Sequence, residues 1–418
     1  MPYYESMNVL GFLKNAVQSG LNTLSGRVDQ ILARPRKPAF PLADRLLADA
    51  FRLGQLPSPA EQEKERAAFV AERLSALGLP YVVDGDGNIL VHFHSPSEAN
   101  ISREPLLVFT RLVSERWNSL ESLGRLELQY ANGAGLADAL GPAALLSLAE
   151  AYAEGRLAPE RDLYLFFSAL HFDDPEADTF RTLGSDSRYR PAAAIGVRGF
   201  MLGVLTSHSP GSYRAAMTVM EEEAQNADVN AVVSALTDMA RHFQKTAEKY
   251  GPGLRLYLKH IEARSASYRT PTEGILELEL ESEDGEILET ALENIKAVAE
   301  TTAYKSVKGN FRVKAYVPPA DPAVSAGLAR IALEVMRGLK IKTEEEAKPD
   351  PASFLSTLGI PAISVGIASG REGLARDTVE VASIERGRQL LERIIMEAGK
   401  SGNDQNQEQD GTPGGQNG

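Results

Sequence analysis

The chain alternates short apolar runs with longer segments in which apolar residues recur every three or four positions. The runs EPLLVFTRLV (104–113), RDLYLFFSAL (161–170) and IPAISVGIA (360–368) are almost continuously apolar, which is typical of parallel strands covered on both faces. The segment GAGLADALGPAALLSLAEAYAEG (133–155) is a glycine-rich loop that leads into a helix. Strands that alternate with helices predict an α/β fold, with a mixed sheet flanked by helices.

Residues 195–307 follow a different pattern. The stretch GILELELESEDG (274–285) alternates apolar and polar side chains like a half-buried strand, whereas DVNAVVSALTDMARHFQKTAEKYG (228–251) has helical spacing. This combination predicts an α+β module of the ferredoxin-like type. Because the buried-strand pattern returns afterwards, we expect the module to be inserted into one discontinuous α/β domain, formed by residues 39–194 and 308–400.

Two further segments flank these domains. In residues 1–38 apolar side chains recur with helical spacing until the sequence RPRKP ends the pattern. This predicts an amphipathic helix, either packed on the following domain or used for self-association or contact with a membrane surface. Residues 401–418 are polar and of low complexity, which predicts a disordered tail.

Composition narrows the classes of function. The 44 basic and 57 acidic residues leave a net charge of −13, which repels phosphate backbones and argues against a nucleic-acid partner. The chain has no cysteine, which excludes disulfides, thiolate metal sites and a cysteine nucleophile. It has neither a run of about 20 apolar residues nor a signal-peptide pattern at its start. We therefore expect a cytoplasmic protein without a transmembrane segment.

Five stretches, in their order along the chain, resemble the aminoacylase and carboxypeptidase G type of zinc metallopeptidases and amidohydrolases. The resemblance covers about residues 40–400. It implies a zinc-exopeptidase-like α/β domain, an inserted lid that often forms a dimer, and hydrolysis of peptide or N-acyl amide bonds. The stretches are LPSPAEQEKERAAFVAERLSALGL (56–79) continued by VDGDGNILVHF (83–93), PLLVFTRLVSE (105–115), GAGLADALGPAALL (133–146), GILELELESEDGEILETALENIK (274–296) and PDPASFLSTLGIPAISVGI (349–367).

The resemblance also implies a pair of metal ions held by histidine and carboxylate side chains, with a carboxylate that activates water. Side chains able to ligate a metal are missing at four of the implied positions, and a guanidinium at one of them brings a positive charge into the metal's place. The substituted positions are Arg111, Val113, Phe172, and Gly373 or Leu374.

The residual metal candidates are Asp138, Asp174 and Asp350, and His171 is the one candidate catalytic residue. His171, followed by two aspartates, is a substitute ligand or base in one interpretation and a hydrogen-bonded rim residue in the other. Asp350 is either a leftover ligand or a carboxylate that caps the helix beginning near Ala352.

Arg111 and Asp138 each have two interpretations. Asp138 is a bridging metal ligand or an N-cap that accepts backbone N–H bonds at a helix start. Arg111 binds a ligand carboxylate or phosphate through paired hydrogen bonds, or it forms an internal ion pair with Asp138 that fills the vacated metal site. Together with His171, these residues form the predicted ligand-binding set.

Other histidines give weaker signals. His92 and His94 share one face of a predicted strand, a spacing that can hold a metal, but their position after a DGDGN turn favours solvated edge residues. His208 lies in the predicted lid.

Two hypotheses about function follow, and a third concerns assembly. In the first, the chain is a non-catalytic homologue without a metal cofactor that binds a small peptide-like or carboxylate ligand. In the alternative, it is an active amide hydrolase that uses Asp138, His171, Asp174 and Asp350 around zinc or another divalent metal. In the third, the N-terminal helix and the lid make an oligomer, such as a homodimer through the lid.

Overall fold

The computed structural model describes residues 41–56, 64–96, 104–112, 114, 125–127, 129–169, 190–221, 230–265, 271–301, 307–373 and 376–400. The expected N-terminal helix and the expected polar tail lie outside these residues. Within them, no helix combines the length and the apolar character needed to cross a bilayer.

The described chain alternates strands and helices along its whole length. The strands are β1 (Tyr81–Val83), β2 (Ile89–Phe93), β3 (Leu106–Arg111), β4 (Arg125–Leu126), β5 (Tyr130–Gly133), β6 (Leu163–Ser168), β7 (Ala193–Leu202), β8 (Val204–Thr206), β9 (Gly211–Glu221), β10 (Arg255–Arg264), β11 (Glu273–Ser282), β12 (Val307–Val317), β13 (Glu344–Glu345), β14 (Ala362–Gly366), β15 (Gly370–Arg371) and β16 (Asp377–Glu380). The helices are α1 (Pro41–Gln55), α2 (Lys64–Ala76), α3 (Leu136–Ala153), α4 (Ala231–Glu248), α5 (Gly285–Thr301), α6 (Pro322–Gly338), α7 (Ser353–Ser356) and α8 (Val381–Gly399).

A mixed sheet of eight strands, in the order β1-β2-β6-β3-β7-β14-β8-β13, forms the larger part of the molecule. Its central strands β6, β3, β7 and β14 are parallel, whereas β2 pairs antiparallel with β6 and β8 pairs antiparallel with β14. Central strands are covered on both faces, which explains their continuous apolar runs. In β3, for example, Leu106 and Val108 enter the main core, while Leu107 and Phe109 enter a second cluster on the other face.

Helix α3 lies at the centre of the main core. Every residue from Ala139 to Ala151 is buried, so this helix is apolar all round instead of having one polar face. It packs against α1, β3 and β7. The residue before it, Gly135, has a φ of 63°, a left-handed conformation that only glycine adopts readily. The glycine-rich loop therefore sets the direction in which the first turn of α3 enters the sheet.

A second module packs two helices, α4 and α5, on a four-stranded antiparallel sheet in the order β10-β11-β9-β12. The chain order β-α-β-β-α-β with this strand order is the ferredoxin-like arrangement. In β11, side chains alternate between buried and partly exposed along the whole strand, as the alternating sequence predicts. The module has its own apolar core, separate from that of the large sheet, and we refer to residues 211–317 as the lid.

The limits of the lid differ from the expected residues 195–307. Position 195 falls inside β7, which pairs with β3 and β14 in the large sheet. At the other end, β12 pairs with β9 in the lid sheet and extends to Val317. Because β7 is as apolar as its neighbours, its end gives no composition signal at the junction.

A third, small sheet of four short strands, β15-β16-β5-β4, lies next to the amino end of α3. Its strand β16 pairs with β5, so that Asp377 lies opposite Gly133. This pairing brings a segment from the end of the chain against the glycine-rich loop that precedes α3.

Candidate functional site

A pocket of about 620 Å³ opens at the carboxyl ends of the parallel strands, between the large sheet and the lid. Arg111 at the end of β3, Asp138 in the first turn of α3 and Arg198 in β7 line one wall. Lid strands provide the opposite wall, including Lys259 and Glu279. The crevice beyond the carboxyl ends of parallel strands is where open α/β sheets usually bind ligands.

Asp138 is held from two sides. Its Oδ2 accepts a hydrogen bond from Ser114 Oγ at 2.7 Å, and its Oδ1 lies 3.8 Å from Arg111 Nη2. The internal ion pair with Asp138, one of the two interpretations of Arg111, is therefore formed, although at a distance too long for a hydrogen bond. The N-cap interpretation of Asp138 is wrong, because the capping position is occupied by Gly135 and Asp138 lies in the first turn.

A second guanidinium lies beneath this pair. Arg66 in α2 is completely buried and donates from Nη1 to the carbonyl oxygen of Leu112 at 2.9 Å. Burial lowers the pKa of Arg66 to about 10, and the charge of Asp138 acts in the opposite direction. The side chain thus stays charged at neutral pH, and it helps to balance the carboxylate of Asp138.

Asp377 is a further buried carboxylate at this end of α3. It accepts hydrogen bonds from the backbone N–H of Ala137 at 3.0 Å and from that of Gly373 at 3.2 Å. Burial raises the pKa of Asp377, and the negative charge of Asp138 raises it further. Asp377 therefore performs the helix-capping function that the sequence suggested for Asp138.

Asp350 also lines the pocket, but its carboxylate is engaged in local structure. Its Oδ1 accepts bonds from Ser364 Oγ at 2.7 Å and from the backbone N–H of Ala352 at 2.9 Å. It is almost fully buried. Of the two interpretations, this geometry fits the carboxylate that caps the helix near Ala352.

Arg198 contributes a guanidinium to the pocket wall. Its Nη2 donates to Thr206 Oγ1 at 2.7 Å, while its buried Nε and Nη1 find no hydrogen-bond partner among the described residues. The buried atoms of Arg198 without a partner are donors, and no carboxylate oxygen of Asp138 or Asp350 is among the buried unpaired atoms of the described chain.

The described residues of the pocket do not fit a pair of metal ions. Of the implied ligand positions, Arg111 carries a guanidinium and Gly373 has no side chain. A Cβ atom at Gly373 would lie 2.2 Å from the carbonyl oxygen of Arg376, so a histidine needs a different loop. Only one group of three histidine or carboxylate donors within 4.8 Å of one another occurs in the described chain, and it contains neither Asp138 nor Asp350.

Five positions singled out in the sequence lie outside the described residues. They are the substituted positions Val113, Phe172 and Leu374 and the candidates His171 and Asp174. The structure therefore brings together Arg111, Asp138 and Asp350 in one pocket and leaves the predicted roles of His171 and Asp174 as predictions.

Sequence reasoning missed Arg66, Ser114, Arg198 and Asp377. The sequence does contain a signal for Arg66. It lies four and eight residues before Val70 and Leu74, a helical spacing that places all three on the buried face of α2. An arginine on such a face needs buried acceptors or a buried opposite charge.

Solved structures with a similar fold include peptidases and amidases. Aminopeptidase PepT from Bacillus cereus matches with a TM-score of 0.59 and 13% identity, over 86% of this chain and 99% of its own. A tripeptidase from Staphylococcus aureus matches with a TM-score of 0.61 and 15% identity, over 86% and 99%. The YxeP protein of Bacillus subtilis, a dinuclear metal binding peptidase, matches with a TM-score of 0.55 and 14% identity, over 85% and 98%.

No protein-family model and no curated protein matches the chain. The structural likeness covers nearly the full length of the relatives, and it confirms the predicted fold, a zinc-exopeptidase-like mixed sheet flanked by helices. The chain thus has the fold of peptidases and amidohydrolases.

Proposed function

We propose that the chain is a non-catalytic homologue of these hydrolases, which binds a small carboxylate or peptide-like ligand between the large sheet and the lid. The observation that supports this most is the guanidinium of Arg111 beside Asp138. It supplies the positive charge that the carboxylate needs, at a position where the resemblance implies a metal ligand.

The chemistry of the pocket favours a ligand with a carboxylate. The side chain of Arg111 is 47% exposed, and its single contact with Asp138 is 3.8 Å long, so its N–H groups are available to a ligand. Exposed ion pairs of this kind contribute only roughly 0.2–1 kcal/mol, and a bidentate bond to a carboxylate is stronger. Arg198 adds a second positive charge to the same wall.

The size of the pocket sets an upper limit on the ligand. Pockets for small molecules usually enclose about 300–1,000 Å³, and the volume here, about 620 Å³, suits a short peptide or an N-acyl amino acid. In the lid wall Lys259 already pairs with Glu279 at 2.6 Å, so we expect the lid to contact mainly the polar backbone of such a ligand.

A calorimetric titration tests this proposal with N-acetylglycine, glycylglycine and the uncharged N-acetylglycine amide as probes. We expect the two carboxylates to bind and the amide to bind at least about tenfold more weakly, because it lacks the charge that pairs with Arg111. Arg111→Met should weaken carboxylate binding by a similar factor. Arg330→Met is the matched control, because Arg330 is exposed on α6 and pairs only with Glu334 in the described chain.

The same preparation decides between the proposal and an active hydrolase. Its content of zinc, manganese and cobalt and its hydrolysis of glycylglycine and N-acetylglycine are measured with and without a chelator. Stoichiometric metal with chelator-sensitive turnover would overturn the non-catalytic assignment. Equal binding of the carboxylates and the amide would overturn the carboxylate assignment.

We also propose a homodimer formed through the lid. Strand β10 is an edge of the lid sheet, since in the described chain it pairs only with β11. Its apolar residues Tyr257 and Ile261 are exposed. An edge strand with exposed apolar side chains is a surface that another strand can extend.

A further inference from the structure

Two histidines and an aspartate meet at the amino end of the parallel strands, on the edge of the sheet opposite the pocket. Strand β2 runs antiparallel to β6, with Phe93 opposite Leu163 and His92 opposite Tyr164. Continued by one residue, this register puts His94 opposite Asp162. Because side chains at positions i and i+2 of a strand share a face, both imidazoles flank the same carboxylate.

The distances from Asp162 Oδ2 to the two histidine nitrogens are close to those between neighbouring ligands of one metal ion. Asp162 Oδ2 lies 2.7 Å from His92 Nε2 and 3.4 Å from His94 Nδ1, and all three donors lie within 4.8 Å of one another. Tetrahedral ligands at about 2.0–2.2 Å from zinc are roughly 3.3 Å apart. If a metal ion replaces the hydrogen-bonded proton between them, His92 Nε2 and Asp162 Oδ2 must therefore move apart by about half an ångström.

The surrounding residues orient these donors. The other carboxylate oxygen of Asp162 accepts the backbone N–H of Ser95 at 2.9 Å, which leaves Oδ2 directed at the histidines. The ring of His92 packs edge-on against Tyr164 with centroids 4.7 Å apart. Such partners fix the direction of metal ligands in known sites. The side chain of His94 is 73% exposed, so an ion reaches the group directly from solvent.

We infer that His92, His94 and Asp162 bind a divalent transition metal ion of the zinc class. Two imidazoles and a carboxylate are the donors that zinc, copper and nickel accept. Three protein ligands leave at least one coordination position for water. The ion joins the end of β2 to the start of β6 and thereby fastens the β1–β2 hairpin to the sheet.

This site is independent of the proposed ligand pocket. Asp162 precedes β6, whereas Arg111 ends the neighbouring parallel strand β3. A six-residue strand spans roughly 20 Å, so a ligand at one end does not touch residues at the other. If no metal binds at His92, His94 and Asp162, the proposal of a carboxylate pocket is unaffected. If the pocket does not bind carboxylates, the inferred metal site is likewise unaffected.

Titration of the full chain, freed of any histidine tag, with zinc and with cobalt tests the inference. We expect one equivalent to bind, with the visible absorption of cobalt bound to nitrogen and oxygen and a melting temperature that rises with metal concentration. His94→Gln removes an exposed ligand and should weaken zinc binding at least about tenfold without unfolding the chain. Asp162→Asn should do the same.

His260→Gln is the matched control, because His260 is exposed beside one carboxylate, Glu262, and belongs to no group of three donors in the described chain. The zinc affinity of the His260→Gln variant should equal that of the wild type. The inference is overturned if zinc does not bind at millimolar concentration. It is also overturned if zinc binds equally to His94→Gln and Asp162→Asn, or if Asp138→Asn abolishes binding instead.

Discussion

Asp377 is a buried carboxylate that fastens the first turn of α3 to the loop that contains Gly373. Burial raises the pKa of Asp377, and Asp138 adds to the effect. The folded chain therefore holds this proton at pH values where the unfolded chain releases it. The contribution of Asp377 to the free energy of unfolding is largest below its ordinary pKa of 3.8 and falls as pH rises through its raised value.

Asp377→Asn tests this pH dependence. Because the amide does not titrate, the difference in unfolding free energy, wild type minus variant, should shrink as pH rises from 4 to 7. Losing one of two accepted bonds should also cost roughly 1 kcal/mol at all pH values. Urea unfolding of both proteins across this range measures the difference. A difference that stays constant or grows with pH contradicts the assignment.

The residues of the pocket also show what sequence can and cannot predict at this scale. The pair of Arg111 and Asp138 was predictable, because both positions follow recognisable elements and a buried carboxylate without a metal needs a positive partner. The role of Asp377 was not predictable. Asp377 and Ala137 are 240 positions apart in sequence, and only the pairing of β16 with β5 brings them together. Long-range pairings of short polar strands leave no hydrophobic pattern to recognise.

At the scale of elements, the position of the pocket depends on how closely α3 packs on β7. A Cβ atom at Gly199 would lie 2.0 Å from the carbonyl oxygen of Ala137 and 3.0 Å from Leu140 Cβ. Both neighbours belong to the start of α3, and the nearest atom is backbone. The absence of a side chain at Gly199 is therefore what lets Asp138 approach the ends of the strands.

We accordingly predict that Gly199→Ala destabilises the fold by about 1–3 kcal/mol, because relief of the contact requires a backbone shift. Gly327→Ala is the matched control. Position 327 lies inside α6 with open space around a new Cβ, so this change should stabilise the fold by about 1 kcal/mol. Denaturant unfolding measures both. Equal effects of the two substitutions would contradict the packing argument.

The lid shows how far local patterns extend at this scale. Strict alternation predicted β11, and helical spacing predicted α4, because each element buries one face in the same core. The expected boundary at residue 195 differed from the structure, since β7 belongs to the large sheet and is buried on both faces. Hydrophobic pattern identifies an element, but its sheet partner depends on the rest of the chain.

At the scale of the whole molecule, the pocket and the lid edge share strand β10, because Lys259 of this strand lines the pocket. The pocket uses the carboxyl ends of the parallel strands, and the proposed dimer uses β10 at the border of the lid sheet. A dimer through β10 would fix one lid against another and so hold the wall that carries Lys259 and Glu279. Assembly and ligand affinity should then change together when the edge is altered.

Ile261→Lys, which places a charge on the exposed edge of β10, tests that link. Light scattering after size exclusion should show a dimer for the wild type and a monomer for the variant, because inserted lysines block pairing between edges. Val82→Lys is the matched control, since Val82 is 66% exposed on β1 at the edge of the other sheet, and it should remain dimeric. A monomeric wild type, or a dimer that dissociates with Val82→Lys alone, would exclude the lid edge. If the dimer holds the lid wall, N-acetylglycine should bind more weakly to Ile261→Lys than to Val82→Lys.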